Sequence, residues 1–274
     1  MLSMVEMSKI YFMMFDLTLL FCVGLVAGLL SGLLGIGGGI ILVPSLFFIL
    51  PYLSSYTKLM QTVIATSLSA MVFTTFLSFL FRLKARNVEM KNLIYLPLLI
   101  IAGCVLGSLT SHLVSHKTLV LVFSFFLILI SLKFFFDWEL KLKAHSKKIM
   151  IPSGFLIGFI SSFFGIGGGV IALPLFISLN FPLEKAIGTS AFATFLTSFF
   201  GSISYAIIGF FQHVRQPDSL GYVYIPAFIS TGIAMLITTP IGVQLSKVIS
   251  TKIIKKIFAI ILFVSALNMV RYLF

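Results

Sequence analysis

Charge is what this chain is short of. Only 9% of its 274 residues are Asp, Glu, Lys or Arg, and seven of those are acids, against 59% hydrophobic residues. That is too little charge to clothe a soluble globule, whose surface is normally rich in it. The apolar residues run continuously, without the amphipathic alternation of a soluble helix or strand. A soluble enzyme, a nucleic-acid-binding domain and a disordered tail are excluded; the expected class is an all-α polytopic membrane protein. Cysteine is scarce too. Cys22 and Cys104 both lie inside apolar runs, which argues against a disulfide framework and for small hydrophobes.

Acids are missing where they would matter most. Glu6, Asp16, Glu89, Asp137, Glu139, Glu184 and Asp218 all lie near the ends of apolar runs or between them. An intramembrane carboxylate usually marks a proton or cation pathway, and no run carries one at its centre. His112, His116, His145 and His213 are similarly placed, so neither a metal cluster nor a cofactor is expected. A membrane-embedded enzyme needs a nucleophile or a metal at depth, and only Ser, Thr and two isolated Cys are on offer. The net charge of +12 is no nucleic-acid footprint, because the basic residues form short clusters between apolar runs, as in cytoplasmic loops. The first apolar run continues far beyond signal-peptide length and reads as a retained membrane helix.

What the chain does have is a duplication. Residues 24–44, GLVAGLLSGLLGIGGGIILVP, recur as residues 154–174, GFLIGFISSFFGIGGGVIALP. Downstream, Ile64, Thr66, Ser67, Ala70, Thr74 and Phe76 match Ile187, Thr189, Ser190, Ala193, Thr197 and Phe199. The first repeat covers 15–136 and the second 150–274, joined by a charged linker at 137–149. Apolar stretches long enough to span fall at 59–81, 93–114 and 117–136, then at 186–210, 222–246 and 253–273. The opening segments, 15–50 and 150–180, are too long for one span and are broken by glycine and proline. If each enters and returns on one side, the halves are inverted repeats, each a Gly-rich re-entrant helical hairpin plus three transmembrane helices. That arrangement gathers Arg82, Lys84, Arg86, Lys91, the linker lysines, Lys185 and the lysines of 247–256 on one side, and the positive-inside rule favours it. It makes the linker cytoplasmic and both termini extracytoplasmic.

Interrupted segments at matching places in two halves point to a transporter's binding site. Each GIGGG block precedes a short apolar helix, whose first amides are unpaired and whose dipole favours an anion. The candidate cradle is Gly35, Gly37, Gly38 and Gly39 with Gly165, Gly167, Gly168 and Gly169, and it needs no fixed positive side chain. Gly24, Gly28, Gly32, Gly103 and Gly107 have the spacing of helix-packing faces instead. Two readings stand for Thr66-Ser67 and Thr189-Ser190: completing an anion's hydrogen-bond shell, or bonding their own helix backbone. Gln61 and Glu184, at equivalent positions, are expected near the interface. GIGGG also resembles half a dinucleotide fingerprint, but no βαβ unit surrounds it.

The doubled GxxSGxxGIGGGxIxxP pattern, each copy followed by a Thr-Ser pair, resembles the TauE/SafE sulfite exporter family, also called the TSUP permeases. One departure is visible: Gly32 in the first copy stands where the second has Ser162. The resemblance covers nearly the whole chain. It implies a multi-pass inner-membrane transporter of small sulfur-containing anions such as sulfite, sulfonates or sulfoacetate, with the GIGGG glycines at its core. The expected function is alternating-access secondary transport with export favoured; the alternatives are an anion channel or a permease for a non-sulfur organic anion. The expected partners are that anion and the lipid bilayer, with a homodimer allowed and no nucleic acid.

Overall fold

The computed structural model describes residues 4–53, 58–89, 95–136, 147–214, 216–245, 248 and 251–273. Among these the chain forms ten helices and one short β-hairpin: α1 (Met4–Leu34), α2 (Gly39–Leu53), α3 (Leu59–Lys84), α4 (Leu96–Leu113), α5 (His116–Phe136), α6 (Lys147–Phe164), α7 (Gly169–Ser178), α8 (Leu183–Phe211), β1 (Ser219–Leu220), β2 (Val223–Tyr224), α9 (Ile225–Leu245) and α10 (Thr251–Arg271). Seven stretches are long and apolar enough to cross a membrane. Six overlap the apolar stretches expected to span, as α3, α4, α5, α8, α9 and α10; the seventh is Asp16–Leu34 of α1. Its counterpart in the second half, Pro152–Phe164, is shorter. The protein is a multi-pass, essentially all-α membrane protein.

Several boundaries differ from the sequence reading. The span expected from 222 begins at Ile225, because 219–224 pair as an antiparallel hairpin, Ser219 opposite Tyr224 and Leu220 opposite Val223. Gly221 turns that hairpin at φ 59°, a conformation that costs an L side chain about 1–2 kcal/mol. The first opening segment is helical from Met4 on. Of the linker, 137–146 lie outside the described residues, and Lys147–Ile149 already belong to α6.

The halves interlock. α1 lies along α9 in parallel, with Gly24 against Thr231 and Ala234, Gly28 against Met235 and Thr238, and Gly32 against Thr239 and Gly242. α4 lies along α6 in the same way, Gly154 beside Leu96 and Leu99, Gly158 beside Ile100 and Cys104, and Gly103 and Gly107 beside Phe159. At every one of these glycines a side chain would strike backbone or a neighbouring Cβ, so the small residues serve close approach of helices. α3 and α8 cross antiparallel, Phe79 facing Phe192, Phe76 facing Phe195, and Ser69 bonded to Ser202. α5 pairs with α10, where Ser131 donates to the Ala259 carbonyl at 2.8 Å and Phe134 meets Phe258 edge-on.

These pairings define two ends. One, the linker face, carries the end of α3, residues 85–89 and the start of α8: Lys185 bonds Glu89 at 2.6 Å and Gly188 touches Asn87. The other, the hairpin face, carries the β-hairpin, the start of α3 and the end of α4. There Tyr224 donates its amide to Thr66 at 3.1 Å, and Lys58 and Tyr222 both bond His112. α1 runs toward the linker face beside α9. α2 returns to the hairpin face, where Phe47 stacks on His116 and meets Tyr272 edge-on. α6 runs inward from the linker face beside α4, and α7 is followed directly by α8, which starts on that face.

Candidate functional site

The two GIGGG turns meet. Between Leu34 and Gly39 the chain reverses through Gly35, Gly37 and Gly38 at φ 68°, 87° and 82°. Between Phe164 and Gly169 it does so through Gly165 and Gly167 at φ 72° and 70°, while Gly168 is helical at φ −66°. A Cβ on Gly39 would lie 2.6 Å from the Gly165 carbonyl oxygen and 2.8 Å from the Ile166 carbonyl carbon. Reciprocally, a Cβ on Gly169 would lie 3.2 Å from the Ile36 carbonyl. Gly37 and Gly167 share the same neighbours, Thr194 of α8 and Met71 of α3. Sequence positions 130 residues apart are thus brought to one place, and the missing side chains permit it.

The turns are not held alike. Ser67 donates to the Gly165 carbonyl at 2.9 Å, and Thr197 accepts the Gly168 amide at 2.8 Å, so α3 and α8 each fasten the second turn. The repeat partners of these two side chains do nothing comparable for the first turn. The Ser190 hydroxyl is buried with no partner among the described residues, and Thr74 donates to its own helix at Met71. The Gly38 amide, equivalent to that of Gly168, has no partner among the described residues. Thr66 and Thr189 lie away from the turns, anchoring loops at opposite faces: Thr66 accepts from Tyr224 and Thr189 from Glu89 at 3.1 Å.

A cavity of about 190 Å³ reaches the looser turn. Gly35 and Gly37 line it with Ser31, Thr74, Thr75, Ser78, Thr194, Thr239 and Arg82. A second void of about 430 Å³ shares Thr74, Ser78, Arg82 and Thr239 with it and extends past Ala85 and Asn87 to the linker face. A Cβ on Gly35 would meet nothing within 4 Å, as expected of backbone facing open space. On the hairpin side the ground is filled instead. Tyr205 and Tyr222 are fully buried, Tyr205 donates to the Ser162 carbonyl at 3.1 Å, and Gly209 touches the backbone of Gly221. Burial pushes the Tyr222 phenol pKa up, and its hydroxyl shares a hydrogen bond with His112 Nδ1 at 3.0 Å. Gln61, at the start of α3, is buried and caps the end of α4 by donating to the Ser111 and Val114 carbonyls.

A model of the sulfite exporter TauE/SafE family matches residues 20–269. The chain belongs to that family. A probable membrane transporter protein of Haemophilus influenzae is 30% identical over 252 residues, 90% of this chain and 95% of the relative. Another from Bacillus subtilis is 34% identical over 218 residues, covering 70% and 78%. One from Methanocaldococcus jannaschii is 28% identical over 257 residues, covering 92% and 95%. No solved structure matches the chain. These relatives of the TauE/SafE chain are all named as probable membrane transporters.

Within this TauE/SafE chain, sequence reasoning brought the glycines forward and missed the cation. Arg82 was legible only as one of several basic residues at the end of a span, where it counts toward topology. Its place in the cavity follows from the approach of α1 and α9 to α3, which no local pattern encodes.

Proposed function

We propose that the protein is a secondary transporter of small sulfur-containing anions, sulfite, sulfonates or sulfoacetate, bound where the two GIGGG turns meet. The observation that carries this reading is the cavity at Gly35 and Gly37, which joins positive-φ glycine backbone to uncommitted hydroxyls and one guanidinium, with no acid in its lining. Backbone amides and hydroxyls replace an anion's water without fixing it tightly, which suits a cargo that has to leave again. About 190 Å³ is room for a small oxyanion with some of its water.

The two halves are read as inverted repeats, with the linker face cytoplasmic in the inner membrane and both termini outside. Supporting this are the antiparallel crossing of α3 and α8, the matched pairs α1–α9 and α4–α6, and the basic residues gathered at the linker face. In alternating access the unequal fastening of the turns would exchange. Ser190 would take up the Gly35 carbonyl as Ser67 now holds Gly165, and the cavity would reopen toward the hairpin face. Export is the favoured direction: an inside-negative potential expels anions with roughly 2.3 kcal/mol per charge per 100 mV.

The test is charge movement in proteoliposomes on jumps of sulfite, thiosulfate, sulfoacetate and chloride. A saturable current for a sulfur anion, lost in folded Gly37→Val, is the expected result. A current that does not saturate would make the protein a channel, and equal responses in wild type and variant would move the site away from the turns.

A further inference from the structure

We propose that Arg82 is the residue that binds the anion's charge in the linker-face cavity and so sets the sign of the cargo. The inference deepens the transport reading above and rests on it. Arg82 lines both joined voids and is the one charged residue in either lining. Its side chain is half-buried and has no ion pair or hydrogen bond among the described residues, whose one salt bridge is Lys185–Glu89. A partly buried cation normally finds a counter-charge, and none is paired with Arg82 among the described residues.

The donors around it fit an oxyanion. Thr74, Thr75 and Thr194 spend their protons on carbonyls of their own helices, at Met71, Met71 and Ser190. The Thr239 hydroxyl, in contrast, is buried with no partner and lines the same voids as Arg82. A guanidinium fork with the Thr239 hydroxyl in the same lining favours a ligand with two or more acceptor oxygens over a spherical ion such as chloride.

The charge is also one-sided. Pairing Thr74 with Thr197 and Phe76 with Phe199 places Tyr205 opposite Arg82 in the second half. Tyr205 is fully buried and donates to the Ser162 carbonyl, so the position equivalent to Arg82 carries no cation. The open void on that side is lined by Asp16 and Asp218 instead. The charge that would gather an anion thus lies on the linker-face side of the turns.

The experiment is binding of sulfite, thiosulfate and sulfoacetate to the purified full-length protein in detergent, comparing wild type with Arg82→Gln, Arg82→Lys and Lys84→Gln. Losing a charge-assisted hydrogen bond predicts roughly 10- to 100-fold weaker binding in Arg82→Gln, a partial loss in Arg82→Lys and about wild-type binding in Lys84→Gln. Binding by Arg82→Gln equal to wild type would overturn the inference alone, leaving Arg82 as a helix-end cation directed to lipid or water. Absence of binding by wild type to all three probes would overturn the substrate reading and the inference with it. Should Arg82→Gln not fold, phenylglyoxal modification of wild type decides: protection of Arg82 by the anion supports the role, and unchanged modification overturns it.

Discussion

Gly35 and Gly165 hold the same place in the repeat and nearly the same backbone angle, yet their surroundings differ. A Cβ on Gly35 points into open space, whereas one on Gly165 would sit 2.9 Å from the Ile64 Cα and 3.1 Å from its carbonyl oxygen. Gly35→Ala should therefore cost only the left-handed backbone penalty, about 1–2 kcal/mol. Gly165→Ala should add about 1–3 kcal/mol of overpacking against α3. Thermal unfolding in detergent checks the ordering, and equal midpoints for the two variants would contradict the asymmetry of the turns. The glycines themselves were legible from sequence, because a doubled GIGGG in an apolar setting has few structural uses. The hydroxyls were not. Whether Thr66, Ser67, Thr189 or Ser190 meets a turn, a loop or nothing depends on contacts across the chain. Only Ser67 reaches a turn, while Thr66 and Thr189 went to loop amides.

At the scale of elements, apolar length announced six spans, and glycine spacing in α1 and α4 announced close-packed faces. Neither tells which helix fills the face. The answer is a helix from the other half in both cases, α9 for α1 and α6 for α4, so each seam ties one repeat to its partner. Gly28 lies midway along the α1–α9 seam, where a side chain would meet the Met235 Cα at 2.6 Å. Gly28→Leu should part the seam, lowering the unfolding midpoint in detergent far more than Val26→Leu, an exposed position on the same helix. The β-hairpin before α9 escaped the sequence reading altogether. Its residues sit at the start of an apolar stretch, and only the positive φ of Asp218 and Gly221 separates them from it.

Over the whole molecule, one turn is pinned and closed while the other is free and faces a cavity. Under the proposed alternating access, the side chains that fasten the second turn, Ser67 and Thr197, have repeat partners, Ser190 and Thr74, that would fasten the first. Thr75, in the open cavity, corresponds to Ser198, now buried with an unpartnered hydroxyl. Labelling single cysteines at these two positions tests the account most directly, with Cys22 and Cys104 replaced and membrane-impermeant maleimide applied to right-side-out and everted vesicles. The account predicts that Thr75→Cys reacts only from the linker face, and that saturating sulfite transfers reactivity to Ser198→Cys from the hairpin face, never both at once. Simultaneous reaction at both positions, or Ser198→Cys inert under every condition, would contradict alternating access at the glycine turns.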